Sequence, residues 1–377
     1  MDWQLLVWFV LGLLLLVVGA DWLVKGASRL ASAAGVSSLV TGLTVVAFGT
    51  SAPEMAVSVK AAWLGQPEMA VGNAVGSNIF NVLLILGLSA VITPLLVARD
   101  IVRRDIPIMI AMSGVLLLLI ADGLASRLDG VLMLLGVVAY TFWIIRQSRQ
   151  ELGRQELGRQ ELGRQELATE ATADPSVATP ATTGNAIFKS IVWLVLGLVL
   201  LVLGSQWLVD SSITFARWAG VSEVVVSLTI VAAGTSLPEL ATSILAAMRG
   251  ERDIAIGNVV GSNLFNIMAV IGLSGAIAPA GLPVAASMIA FDVPFMIAAA
   301  IACLPMFARG RMIPRWQGAM FLLAYVAYVV YLLLDATGHE AKHGYVSVML
   351  RFVVPLLLLT LVVLAIQVWR PRRSNVL

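Results

Sequence analysis

The sequence predicts an all-α polytopic membrane protein: two inverted five-helix repeats, ten core transmembrane helices in all, plus one extra C-terminal transmembrane helix. Three observations lead there. The 377 residues are 59% hydrophobic and 12% charged, with a mean hydropathy of +0.95, whereas a soluble domain carries about 25% charged residues. Apolar runs long enough to cross a hydrocarbon core of about 30 Å recur along the whole chain. The second half also repeats the first when the sequence is shifted by 185 residues.

The apolar runs number eleven: about 4–24, 38–63, 69–93, 105–121, 128–146, 188–209, 223–248, 254–279, 292–308, 316–335 and 346–369. The first has no basic leader and no small-residue cleavage site, and it recurs at 188–209, so it reads as a retained helix. With the N-terminus outside, 19 of the 24 Lys and Arg fall inside and 5 outside, so the positive-inside rule favours N-out and C-in. This fits a multi-pass protein of the plasma (inner) membrane, with the central linker and C-terminus cytoplasmic. The net charge of +2 gives no reason to expect a nucleic-acid partner. The single cysteine, Cys303, lies in an apolar run and reads as a small core residue, with no disulfide possible within the chain.

The repeat defines the domains. "LTVVAFGTSAPEMAVSVK" (43–60) matches "LTIVAAGTSLPELATSIL" (228–245) at 11 of 18 positions, and "EMAVGNAVGSNIFN" (68–81) matches "DIAIGNVVGSNLFN" (253–266) at 9 of 14. "VVGADWLV" (17–24) and "VLGSQWLV" (202–209) relate the opening helices, and "DIPIMI" (105–110) and "DVPFMI" (292–297) relate the fourth with a two-residue slip. Residues 1–146 form the first repeat and 188–335 the second. Five helices reverse the chain direction, so the second repeat enters the membrane inverted, a plan typical of transporters with a midplane site. Residues 147–187, with "RQELG" repeats and an Ala/Thr/Pro-rich stretch, read as a polar cytoplasmic linker, partly disordered, because each glycine costs a helix about 1 kcal/mol. Residues 336–377 hold an outside loop, the additional helix and a basic tail.

The candidate site lies on the repeated motifs. Thr50, Ser51 and Glu54 share one helix face, as do Ser77 and Asn81 on the next helix; Thr235, Ser236 and Glu239, then Ser262 and Asn266, repeat the arrangement. All are oxygen donors, with no His or Cys among them, which is the donor set of a hard cation such as Ca²⁺ or Na⁺. Pro53 and Pro238 obstruct the carbonyls four residues earlier, so carbonyls near Ala47, Phe48 and Gly49, and near Ala232, Ala233 and Gly234, are expected to be freed toward a cation. An intramembrane glutamate is a functional candidate, and two in register supply the −2 charge that balances one Ca²⁺. Asn73, Asn258, Asn78 and Asn263 stay open between ligands and packing amides. Asp105 and Asp292, each two residues before a proline, read as N-caps, and Glu68 and Asp253 open their helices similarly.

These motifs resemble the two α-repeats of the sodium/calcium exchanger superfamily, in its prokaryotic calcium/sodium antiporter branch. The resemblance covers about 1–145 and 187–335. It implies ATP-independent, electrogenic exchange of several Na⁺ for one Ca²⁺, both bound as substrates, with no cofactor. It further implies that Glu54 and Glu239 are the central shared ligands, with Asn81 and Asn266 beside them. Thr50, Ser51, Ser77, Thr235, Ser236 and Ser262 would line the Na⁺ sites. Potassium-dependent members typically carry Asp at the place of Asn266, so K⁺ co-transport is not expected. The eleventh helix departs from a ten-helix plan.

Two alternatives are kept. Paired glutamates carry protons as readily as they bind cations, so H⁺-coupled exchange stands against Na⁺ coupling, although the hydroxyl ring favours Na⁺. "HEAKH" (339–343) fits H-E-x-x-H of zinc proteases. It lies in a short outside loop, holds the only two histidines and lacks a convincing third ligand.

Overall fold

The computed structural model describes residues 3–169, 184–220, 230, 232–308 and 312–369. The first half contains α1 (Trp3–Ala34), the bent pair α2 (Ser38–Thr50) and α3 (Ala52–Trp63), α4 (Pro67–Ile92), α5 (Ile106–Leu119) and α6 (Arg127–Thr169). The second half contains α7 (Gly184–Trp218), the single turn α8 (Ala232–Gly234), α9 (Leu237–Met248), α10 (Arg252–Ile277), α11 (Val293–Ala308) and α12 (Arg315–Ala336). The chain closes with α13 (Ala341–Val348) and α14 (Val354–Trp369).

Among the described residues, eight helices are long and apolar enough to span a bilayer, or nine if α2 and α3 form one span bent by 45°. The expected run 105–121 is the 14-residue α5, preceded by a π turn at Ile101–Asp105. Most of the expected run 223–248 ahead of α8 lies outside the described residues. One expectation changes. The helix starting at Arg127 does not stop near 146 but continues through the "RQELG" repeats to Thr169. The repeat places Glu three residues before Arg and Gln147 within reach of Glu151 (2.8 Å), spacings that support a helix against its glycines. Residues 170–183 of the expected linker lie outside the described residues.

Lipid tails are as apolar as leucine, so membrane helices associate through close packing and internal hydrogen bonds. The α1–α7 pair depends on close packing. A Cβ at Gly12 would lie 2.8 Å from the Leu208 nitrogen, and one at Gly197 only 2.5 Å from that of Leu23. Since Gly12 meets Leu208 and Gly26 meets Leu194, the two helices run antiparallel. Their tryptophans interleave edge to face, Trp8 with Trp207 (4.6 Å) and Trp22 with Trp193 (4.9 Å).

Several bonds that tie the halves together come in exchanged pairs. Arg127 Nε donates to the Ala276 carbonyl (3.2 Å) and Arg315 Nε to that of Val91 (3.1 Å). The two-residue strands β1 (Leu95–Leu96) and β4 (Met312–Ile313) pair antiparallel, and β2 (Leu124–Ala125) pairs with β3 (Leu282–Pro283). Gly87 packs on Gly318 as Gly130 packs on Gly272. Asp105 and Asp292 are not capping residues: Asp105 accepts from Tyr140 (3.3 Å) and Arg104 (3.2 Å), and Asp292 from Tyr328 (2.9 Å). Their carboxylates face packed neighbouring helices, which supply the tyrosine donors. Glu68 and Asp253 sit in the first turns of their helices, beyond the N-cap position.

The repeated motifs lie at the centre of this arrangement. The most apolar 18-residue stretch of α10 is entirely buried, against 11% of that of α12. Gly257 and Gly261 bring α10 against the backbone of α2, where a Cβ would meet the Leu39 and Leu43 carbonyls at 2.9 and 2.6 Å.

Candidate functional site

Each broken helix stops just before its glutamate. Helix α2 ends at Thr50, Ser51 turns the chain, and Pro53 opens the first turn of α3 with Glu54. In the second half α8 ends at Gly234, Thr235 and Ser236 form the turn, and Pro238 and Glu239 open α9. Proline is well tolerated in a first helical turn, where its missing donor leaves no bond unmade. The sequence therefore places both carboxylates beside a backbone break. Asn81 lies within the π segment Phe80–Ile85 of α4, and Asn266 begins the π segment Asn266–Val270 of α10. Such insertions redirect side chains and recur at functional sites.

The structure links predicted residues of one half to those of the other through hydrogen bonds at both glutamates. Ser236 Oγ donates to Glu54 Oε1 (2.8 Å), and Ser51 Oγ donates to Glu239 Oε1 (3.1 Å). Ser236 also reaches Ser77 Oγ (3.1 Å). Thr50 Oγ1 lies 3.0 Å from Asn258 Oδ1, and Thr235 Oγ1 lies 3.4 Å from Asn73 Oδ1. Glu54, Glu239, Asn81 and Asn266 are fully buried.

The acceptors left over define the chemistry. Glu54 Oε2, Glu239 Oε2, Asn81 Oδ1, Asn266 Oδ1 and Ser262 Oγ are buried and have no hydrogen-bond partner among the described residues. A buried polar group without a partner costs about 1–3 kcal/mol, and a charged one more. Among the described residues, no Lys or Arg is recorded as an ion-pair partner of either glutamate. Five such oxygens, two of them on carboxylates, fit an oxygen-seeking cation. Among the described residues no group of three or more His, Cys, Asp and Glu could hold a metal.

Three of the six carbonyls expected to be free are engaged as follows. The Ala47 carbonyl accepts from the Ser51 amide (3.0 Å), Ala233 from the Ser236 amide (3.2 Å), and Gly234 from Ser205 Oγ (2.7 Å). A proline frees only the carbonyl four residues back, and hydroxyls and amides at the break recapture its neighbours. Ser205 was not singled out in the sequence, because α7 shows no break or charge at that position. Ser58 and Ser243 were also missed. They accept from Asn73 (3.0 Å) and Asn258 (2.9 Å), whose amides also reach the Glu54 and Glu239 carbonyls (3.3 and 3.4 Å). Their signal was present: each serine follows its glutamate by four residues in both repeats. Asn73 and Asn258 are thus bonded at both ends of their amides and brace the breaks. In "HEAKH", His339 precedes α13 while His343 lies within it, so the two histidines do not share a helix face.

The sequence model described as "Sodium/calcium exchanger protein" matches residues 4–146 and 189–334. This chain belongs to the sodium/calcium exchanger family. Its relatives in that family include a putative antiporter, CaxA, of Alkalimonas amylolytica, 40% identical over 325 residues, covering 85% of this chain and 96% of CaxA. The sodium/calcium exchanger MaX1 of Methanosarcina acetivorans is 39% identical over 349 residues, covering 86% of this chain and 97% of MaX1. A solved structure of the sodium-calcium exchanger NCX_Mj, soaked with 10 mM Na⁺ and no Ca²⁺, superposes with a TM-score of 0.71 at 30% identity, covering 88% of this chain and 99% of that one. The family makes the chain a membrane cation antiporter rather than an enzyme.

Proposed function

We propose that this exchanger couples Na⁺ movement to Ca²⁺ movement in the opposite direction, electrogenically and without K⁺, at a site shared by its two halves. The carrying observation is the set of five buried, unpartnered oxygens on Glu54, Glu239, Asn81, Asn266 and Ser262. Both carboxylates face one region and together balance one Ca²⁺. The hydroxyls of Thr50, Ser51, Ser77, Thr235 and Ser236 surround them and suit smaller, singly charged Na⁺ when Ca²⁺ has left. Asn266 supplies an oxygen without a third negative charge, which argues against an accompanying K⁺.

Alternating access fits an inverted-repeat reading with ten core helices and one appended helix. The antiparallel packing of the equivalent helices α1 and α7, and the exchanged bonds between the halves, support that reading. Helix α7 lies against both breaks: a Cβ at Gly49 or Gly234 would meet Leu198 or Val209 at 2.7 Å. The chain is read as a plasma-membrane protein with the N-terminus outside.

Proteoliposomes loaded with Na⁺ are expected to accumulate ⁴⁵Ca²⁺ when diluted into Na⁺-free buffer, developing a membrane potential and showing no K⁺ requirement. Uptake that follows ΔpH and ignores Na⁺ would assign H⁺ as the coupling ion instead.

A further inference from the structure

Each candidate ligand asparagine is held by a second asparagine from the opposite half. Asn266 Nδ2 donates to Asn78 Oδ1 (3.1 Å), and Asn81 Nδ2 donates to Asn263 Oδ1 (3.1 Å). The holding residues are themselves oriented. Asn78 Nδ2 reaches the backbone carbonyl of Asn263 (3.3 Å) and the sulfur of Met296 (3.4 Å). Asn263 Nδ2 reaches the backbone carbonyl of Asn78 (3.5 Å) and the sulfur of Met109 (3.5 Å). Both holders are buried, at 1% and 2% exposure.

The direction of this chain of bonds follows from chemistry alone. A backbone carbonyl accepts and cannot donate, and a thioether is at most a weak acceptor. The amide nitrogens of Asn78 and Asn263 must therefore face the carbonyls and sulfurs, which turns their oxygens toward Asn266 and Asn81. Those two must then donate, which commits their nitrogens and leaves their oxygens as the unpartnered acceptors. Reversing either ligand amide would set two oxygens against each other and aim an N–H dipole at the cation.

We propose that Asn78 and Asn263 are positioning residues for ion binding, locking Asn266 and Asn81 with the oxygen end toward the cation. Building on the proposed exchange site, this adds a reason for a reciprocal asparagine pair between the halves. An asparagine ligand is ambivalent, because either end of its amide can face an ion. A carboxylate is not, since both of its oxygens accept. An Asp at 266 would gain nothing from the Asn78 oxygen and would be repelled by it.

That contrast supplies the test. Ca²⁺ binding to the purified full chain would be measured directly, by calorimetry in detergent, for Asn78→Ala, Asn266→Asp and the double variant. Asn78→Ala is expected to weaken Ca²⁺ binding about tenfold in the native background, by analogy with residues that orient metal ligands. In the Asn266→Asp background the same change is expected to leave affinity unaltered or raise it. The mirror cycle, Asn263→Ala with Asn81→Asp, provides a second measurement should either Asn78 variant fold poorly. An equal loss in both backgrounds, or no loss in the native one, would overturn the proposal and make Asn78 a packing residue. Glu54→Gln, run alongside, reports on the site itself: retained Ca²⁺ binding there would reject the shared site, whatever Asn78 does.

Discussion

The two broken helices carry almost the same residues at their breaks and different ones at their far ends. Around the glutamates each bond of one half has its counterpart in the other, Ser51 to Glu239 and Ser236 to Glu54. At the ends the match is lost. The turn after α9 holds Arg249 and Glu251, which bind α1 through Asp21 and Ser28, the latter at 3.0 Å. The corresponding turn after α3 has Leu64 and Gln66, both exposed. A ligand shared by two halves constrains both to supply matching donors, whereas a surface turn need only remain compatible with its own side of the membrane. One difference reaches the site itself: the Ser77 and Ser236 hydroxyls lie 3.1 Å apart, while Ser262 Oγ has no partner among the described residues.

The sharpest way to break this comparison is to remove one carboxylate at a time. Glu54→Gln and Glu239→Gln are each expected to lower Na⁺-dependent ⁴⁵Ca²⁺ uptake by about 100-fold or more, with the variants still inserting, because a buried charge contact typically contributes 2–5 kcal/mol. Similar losses would mark the carboxylates as equivalent; near-normal uptake in either would remove it from the site. Next in size is the seam between the opening helices. Gly197→Leu forces a side chain where a Cβ already meets the Leu23 backbone at 2.5 Å. It is expected to destabilise the protein by about 2–3 kcal/mol in thermal unfolding. Gly114→Ala, with open space around its Cβ, should change little.

The serines sharpen the difference between the halves. Ser77→Ala removes a hydroxyl partner of Ser236 and is expected to cost the ion-free protein about 1 kcal/mol. Ser262→Ala removes an oxygen with no partner among the described residues, so ion-free stability should hold or rise while ion affinity falls several-fold. Equal behaviour of the two would erase the asymmetry. The smallest effect is expected at the ends. Arg249→Leu imports the first-half residue at a partly exposed ion pair and should cost under about 1 kcal/mol, leaving Ca²⁺ affinity unchanged in the same calorimetric assay.

Much of this molecule was legible because a bilayer restricts what a chain can do. With no water to satisfy backbone groups, long apolar runs must be helices. Glu54 and Glu239, in such runs and in register, stood out for the same reason, as did Pro53 and Pro238. The helix through the "RQELG" segment was misjudged, since glycine propensity was weighed without the charge spacing that supports the helix beyond Arg146.

By itself the sequence determined the repeat, the central helices and the polar residues at their breaks, because charge and hydroxyls in an apolar run are conspicuous and the internal repeat marks them twice. Only the tertiary structure decided which oxygens remain for an ion. The carbonyls near Gly234 and Ala47 are recaptured by Ser205 and Ser51, and Asn73 and Asn258 are bonded at both ends. The free oxygens of Asn81 and Asn266 follow from the asparagines that hold their nitrogens. A hydrogen-bonding group becomes a ligand only when no neighbour satisfies it, and those neighbours come from the other half of the chain.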